Sequence, residues 1–280
     1  MEDTNDKLLA VLIDAENISH KHIRNMLIEI TRYGTPTIKR IYGDWTRSEL
    51  TGWKSCLLEN ALTPVQQYGY TSGKNSTDSA MIIDAMDILY SGAVDGFCIV
   101  SSDSDFTRLA IRLREAGKTV YGIGEKKTPV PFISACSKFI YIEILDQAGN
   151  DQESVSTPQT AAKDQEQDKT PGSIQSQKSA VTTVSRELKN LLKSSVSDLS
   201  DDDGWTNLAA LGTSIIKKQP DFDSRNYGFQ RLSSMLRSLN IFDFDERTVG
   251  NSKIKHIFIR NKQETTVVKA KRKRKPRQDK

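Results

Sequence analysis

The chain has 280 residues, 36% of them hydrophobic, and a formal charge of +4 at neutral pH. That is enough for two ordinary domains with cores of their own, and no apolar run approaches the roughly 18 residues a membrane-spanning helix needs. The charge is uneven: Lys269 to Lys280 hold eight Lys or Arg and one acid, so the remainder of the chain is at −3.

Cys56, Cys98 and Cys136 are odd in number and lack CxxC spacing, and two sit in apolar stretches, so reduced, buried thiols are expected. His20, His22 and His256 offer no zinc spacing. The start of the chain carries Glu2, Asp3 and Asp6 instead of a basic segment and an apolar core. A soluble, cytoplasmic protein is expected, or a nuclear one in a eukaryote, with no membrane association.

In chain order, Leu8-Leu9-Ala10-Val11-Leu12-Ile13 is an apolar strand that ends in Asp14-Ala15-Glu16-Asn17. Ser19 is placed to cap a helix over residues 20–32, with Ile23, Leu27 and Ile30 on one face, and Gly34 ends it. A strand over 37–42, a helix over 50–61 and a strand over 63–68 follow. The loop Gly69 to Asn75 leads into a helix over 77–90 that carries Asp78 in its first turn. Phe97-Cys98-Ile99-Val100 is a second buried strand, and it delivers Ser101-Ser102-Asp103-Ser104-Asp105 to its end. A helix over 106–116, a strand over 119–123, a short helix over 131–136 and a strand over 139–142 complete the unit. Alternation of strand and helix predicts an α/β domain with a parallel sheet covered on both faces, spanning residues 1–146.

Residues 147–183 are Gln, Ser, Thr, Asp and Lys with almost no large apolar side chain. Such a stretch cannot offset its ordering entropy and is expected to be a flexible linker. Residues 184–263 show three helical stripes: Leu188, Leu191 and Leu192; Trp205, Leu208 and Leu211; then Tyr227 to Leu239. Two period-two segments follow, Phe242 to Asp245 and Ile254 to Ile259, separated by Gly250-Asn251. Three helices closed by a hairpin predict a small winged helix-turn-helix domain. Residues 264–280 form a basic tail whose Lys271, Arg272, Lys273 and Arg274 suit a nucleic acid or similar polyanion, or serve only as a solubilising end.

Ligands of open parallel sheets sit beyond the carboxyl ends of the strands, at the point where strand order reverses. If the strands ending at Asp14 and Asp103 are neighbours there, Asp14, Asp78 and Asp103 share one crevice, with Asp105 beside them. Carboxylates so placed repel one another unless they share a cation, and hard Mg²⁺ or Mn²⁺ prefers such oxygen ligands. A phosphodiester is the natural substrate for that arrangement. Each acid alone is more simply a turn or cap residue; three correlated positions favour the metal centre. Asn17 is either an orienting hydrogen-bonding group or a cap; Asp105 is a supporting acid and, with Asp14, Asp78 and Asp103, a candidate metal ligand. Asp84 lies round the far side of its helix from Asp78, and Asp44, Asp87 and Asp95 read as solvated surface. Lys74, Arg108 and Arg112 are candidates for flanking phosphates, or else plain surface charges; Trp45, Tyr68 and Tyr70 for stacking unpaired bases. Arg231, with Arg225, Arg237, Lys253 and Lys255, is the candidate basic face of the winged unit.

Asp14-Ala15-Glu16-Asn17, Lys74-Asn75-Ser76-Thr77-Asp78 and Ser101-Ser102-Asp103-Ser104-Asp105-Phe106, in that order, resemble the three motifs of NYN domains. These are PIN-like nucleases that include the LabA-like proteins. The resemblance implies a PIN-type fold and a metal-dependent ribonuclease, with Asp14, Asp78 and Asp103 matching the metal-binding acids and Asp105 supporting them. One departure is that Asn75 follows Lys74 where the family often has Gly. The second unit resembles the LOTUS, or OST-HTH, domain through Gly204-Trp205-Thr206-Asn207-Leu208-Ala209-Ala210-Leu211-Gly212 and Asn226-Tyr227-Gly228-Phe229-Gln230-Arg231-Leu232. That implies RNA binding or docking of a protein, including a second copy of the chain. The expectation is an Mg²⁺- or Mn²⁺-dependent endoribonuclease acting on single-stranded RNA. A noncatalytic RNA-binding adaptor and a DNA-binding winged-helix regulator are the alternatives.

Overall fold

The computed structural model describes residues 6–69, 76–145, 184–248 and 255–262. The first unit is a six-stranded sheet in the order β3-β2-β1-β4-β5-β6, every neighbouring pair parallel. Its strands are β1 (Leu8–Asp14), β2 (Thr35–Gly43), β3 (Thr63–Gln66), β4 (Gly96–Val100), β5 (Thr119–Gly124) and β6 (Lys138–Tyr141). The helices between them are α1 (Ile23–Ile30), α2 (Lys54–Glu59), α3 (Ser76–Ser91), α4 (Thr107–Glu115) and α5 (Val130–Ala135). Three of the expected helices open as 3-10 turns, at His20–His22, Ser48–Trp53 and Ser104–Phe106.

Period-two side-chain alternation divides each central strand between two cores. Leu9, Val11, Ile13, Cys98 and Val100 pack with Ile23, Met26 and Ile30 of α1 on one face. Ala10, Leu12, Phe97 and Ile99 pack with Met81, Ala85 and Ile88 of α3 and with Leu109, Ala110 and Leu113 of α4 on the other. Both faces being covered is why β1 and β4 read as unbroken apolar runs. Register then sets the site: Ile13 lies opposite Val100, so the residues that follow, Asp14 and Ser101, emerge side by side at the carboxyl edge where strand order reverses.

Asp84 turns away from that edge and is engaged by the Arg40 guanidinium and the Tyr42 hydroxyl of β2. Asp44 departs from the solvated role expected of it. It is buried and accepts hydrogen bonds from Thr46 Oγ1 (2.6 Å), Gln66 Nε2 (2.9 Å) and the Gly69 N–H (3.2 Å), tying the loop after β2 to that after β3. Those donors, Thr46 foremost, hold its carboxyl well below the usual range. Cys98 and Cys136 are buried thiols, and burial pushes Cys136 up to about 12, as befits inert core residues.

The second unit contains α6 (Arg186–Leu199), α7 (Leu208–Lys218), α8 (Leu232–Ser238) and an antiparallel sheet ordered β7-β9-β8, from β7 (Thr206–Asn207), β8 (Phe242–Thr248) and β9 (Lys255–Asn261). Ser185 caps α6 by accepting from the Leu188 N–H, and Asn207 caps α7 by accepting from the Ala209 N–H. Leu188, Leu192, Val196, Leu211, Ile215, Met235, Leu236, Phe242 and Ile259 form its core. A 3-10 turn at Ser224–Tyr227 ends on Gly228, whose φ of 80° is the left-handed conformation that glycine adopts without strain. The expected linker (147–183), the Gly250-Asn251 turn, Lys74, Tyr70, Lys253 and the tail residues Lys271 to Arg274 lie outside the described residues. Among the described residues, no helix is long and apolar enough to cross a membrane.

Candidate functional site

Asp78, Asp103 and Asp105 each bring a carboxylate oxygen to a common point, all three within 4.8 Å of one another. They arrive by different routes. Asp78 stands in the first turn of α3, where the helix dipole favours negative charge. Asp103 follows β4 and caps the 3-10 turn before α4, its Oδ1 accepting from the Asp105 N–H at 2.9 Å. That turn aims Asp105 back toward Asp103. Asp105, expected both as a supporting acid and as a metal ligand, lies within the converging set, whereas Asp14, also expected as a ligand, is not part of it.

Asp14 stands behind this set. Its side chain is buried, and both its oxygens are engaged: Oδ1 by the backbone N–H groups of Glu16 (3.1 Å) and Asn17 (3.2 Å), Oδ2 by the Ser101 hydroxyl (2.9 Å). Ser101 Oγ in turn accepts from the Asp103 N–H at 3.1 Å, so one hydroxyl joins the ends of β1 and β4. Asn17 contributes its backbone to Asp14, while the helix cap that follows is Ser19. Burial pushes the Asp14 carboxyl up to about 6, the Ser101 hydrogen bond opposing and the charge of Asp78 adding to the rise. Asp78 is also raised to about 6, first by burial and then by the charges of Asp103, Asp105 and Glu16. Such mutual repulsion is what a shared divalent cation relieves, and an all-carboxylate donor set fits a hard ion such as Mg²⁺ or Mn²⁺.

Glu16 was legible only as part of the first motif. Its Oε1 accepts from Thr77 Oγ1 (3.2 Å) and the Asp44 N–H (3.2 Å), and its Oε2 faces Arg47 at 3.7 Å. It thereby links the end of β1 to the start of α3, at the residue before Asp78. The signal was its position two residues beyond Asp14; its partners, 28 and 61 residues away, could not be read from spacing.

Around the acids, Arg108 and Arg112 lie exposed on α4, Arg112 donating to the Tyr90 hydroxyl at 3.3 Å. Trp45 packs against the core and donates its indole N–H to the Val65 carbonyl, so it is committed to structure; Tyr68 is half exposed. In the second unit Arg231 is exposed just before α8. Arg225, expected on the basic face, is instead held by Glu29 and Asp223. A ladder of stacked cations and rings runs over the small sheet: Arg260 lies 4.6 Å from the Trp205 ring, and Arg247 lies 5.1 Å from Trp205 and 4.9 Å from Phe258.

The sequence profile of the NYN domain matches residues 8–143, and that of the OST-HTH/LOTUS domain matches residues 180–254. The chain carries an NYN domain followed by an OST-HTH/LOTUS domain. Similar solved structures include an uncharacterized protein of Nitrosomonas europaea, 34% identical over 35% of this chain and 94% of that one, with a TM-score of 0.28. A protein of unknown function from Vibrio parahaemolyticus is 18% identical over 51% of this chain and 96% of that one, with a TM-score of 0.42. A Chromobacterium violaceum protein is 26% identical over 34% of this chain and all of that one, with a TM-score of 0.25. No curated protein matches the chain. The acidic cluster thus belongs to the NYN domain, at the carboxyl edge of its sheet.

Proposed function

We propose that the chain is a metal-dependent endoribonuclease that cleaves single-stranded RNA, its OST-HTH/LOTUS domain holding the substrate. The convergence of Asp78, Asp103 and Asp105 carries this reading. These three are the ion's direct ligands, and a Mg²⁺ or Mn²⁺ ion bound there supplies the charge stabilisation and water activation that phosphodiester hydrolysis needs. Asp14 acts from behind them, its negative charge and its link through Ser101 keeping the Asp103 loop in place. Asn17 shapes the first loop. Arg108 and Arg112, with Lys74, grip flanking phosphates, and Arg231 and the basic tail add nonspecific attraction that salt weakens. The Arg260-Trp205-Arg247-Phe258 ladder presents cations and ring faces of the kind that bind unpaired nucleotides.

Incubation of the full chain with varied single-stranded RNAs, with Mg²⁺ or Mn²⁺ and with EDTA, tests the proposal. Cleavage that EDTA abolishes is expected, as is a loss of roughly 10²-fold or more for Asp78→Asn and Asp103→Asn, since changing groups that merely orient metal ligands already costs about 10–100-fold. A folded wild-type chain inert on all RNAs with both ions would overturn the enzyme reading and favour a noncatalytic RNA-binding adaptor.

A further inference from the structure

We propose that the outer edge of β6 is a built docking surface for the chain's own OST-HTH/LOTUS domain, so that the two domains work as one body instead of swinging freely on a tether. The edge strand itself calls for a cover. β6 ends the sheet, and its outward N–H groups would be left as a template for foreign strands. The segment between α7 and α8 supplies that cover: the Phe139 N–H donates to the Pro220 carbonyl at 2.8 Å, and the Tyr141 hydroxyl donates to Asp221 Oδ2 at 2.8 Å.

Beside these contacts lies an ion-pair cluster made from both domains. Arg225 grips Glu29 of α1 with two parallel hydrogen bonds, Nη1 to Oε2 at 2.9 Å and Nη2 to Oε1 at 2.7 Å, while its Nε and Nη2 hold Asp223 at 3.0 and 2.8 Å. The Tyr33 hydroxyl donates to the same Glu29 at 2.9 Å. Tyr33 stacks on Tyr121 of β5, and Lys138, the first residue of β6, lies over its ring. Arg32 shares Glu29 Oε2 with Arg225, its Nη1 at 3.0 Å. Two carboxylates, from separate domains, are thus matched by Arg225, Arg32 and Lys138.

Burial gives the cluster its specificity. The Glu29 side chain is only 4% exposed and that of Arg225 only 19%. A charge so covered is costly unless paired, so the docked arrangement tolerates no mismatched partner at this point, and bidentate geometry admits one orientation. The docked residues, 220–225, are separate from the Trp205, Arg247, Phe258 and Arg260 ladder, which stays available for the nucleic acid of the proposed function.

A site for a specific protease, inserted into residues 147–183 of the full chain, provides the test. After cleavage at micromolar concentration, size-exclusion chromatography with light scattering is expected to show both pieces eluting together at the mass of one chain. Arg225→Glu should weaken their association by about a hundredfold or more, the order found when one partner of a buried charge pair is lost. Arg225→Lys, which keeps the charge but not the fork, should fall between the two. Circular dichroism of each variant separates lost docking from lost folding. Wild-type pieces that elute apart, or that assemble only at twice the single-chain mass, would overturn the proposal, as would a folded Arg225→Glu chain whose pieces stay together as firmly as the wild type. Since association is read without RNA or metal, the outcome is independent of whether the chain is a nuclease.

Discussion

Asp14 and Asp78 show how a site can be costly to its own fold. Both carboxyls rest near 6 in the folded chain against an ordinary value of 3.8. Between about pH 4 and 6 the folded protein therefore keeps protons that the unfolded chain has already lost, so these groups favour folding at low pH and oppose it as pH rises through 6. A bound divalent cation reverses that penalty, and it needs the ionised carboxylates. Mn²⁺ is accordingly expected to raise the melting temperature of the full chain more at pH 7.5 than at pH 5. Asp78→Asn should raise the melting temperature of the metal-free protein at pH 7.5 and remove most of the gain from Mn²⁺. Thermal scans at the two pH values, with and without the ion, check both; an equal gain at each pH would mean that Mn²⁺ acts elsewhere.

At the scale of elements, the site depends on how closely strands and helices approach. Gly122 in the middle of β5 has no room for a side chain: a Cβ there would lie 2.5 Å from the Phe139 ring and 2.7 Å from Cys136 Sγ. Phe139 is the residue whose N–H meets Pro220. Gly122→Ala is therefore expected to cost about 1–3 kcal/mol through overpacking and to loosen β6 first. Denaturant unfolding measures the loss, and faster hydrogen exchange at the Phe139 amide than at amides of β1 locates it. Uniform acceleration across the sheet would mean that β5 and β6 do not yield as a local pair. Glu16 works on the same scale, joining the β1 end to the α3 start through Thr77 and to the β2 loop through the Asp44 N–H.

For the whole molecule, the proposed division of labour between binding and chemistry can be tested by removing the second domain. Truncation after residue 146 removes the OST-HTH/LOTUS domain, the tail and the cover of β6 while leaving every converging acid in place. The truncated chain is expected to bind single-stranded RNA at least tenfold more weakly, an order set by the loss of a linked second binding module, yet to keep its single-turnover rate at saturating RNA and metal. Quench-flow cleavage alongside filter binding distinguishes the two, and a rate that falls as far as the affinity would show that the second domain shapes the acidic site itself.

Much of this molecule could be read from residue order because its signals are local. Apolar runs that stop in acids marked β1 and β4, alternation of strand and helix marked a parallel sheet, and the three acidic motifs together with the Trp205 and Tyr227 segments marked both domains. Helix starts were blurred by 3-10 turns, since a first turn closed by i→i+3 bonds has almost the same residue preferences as an α-turn. Only tertiary structure decided which residues of β1 face which core, that the oxygens of Asp78, Asp103 and Asp105 come within 4.8 Å of one another while both oxygens of Asp14 are taken up by Ser101 and the loop backbone, and that Asp44 is a buried loop tie. Nor did residue type reveal that Arg225 faces Glu29 in place of solvent, 196 positions away. A carboxylate or guanidinium is equally soluble wherever it stands in the chain; what it does depends on partners that long-range folding brings within 3 Å, and sequence spacing carries no record of them.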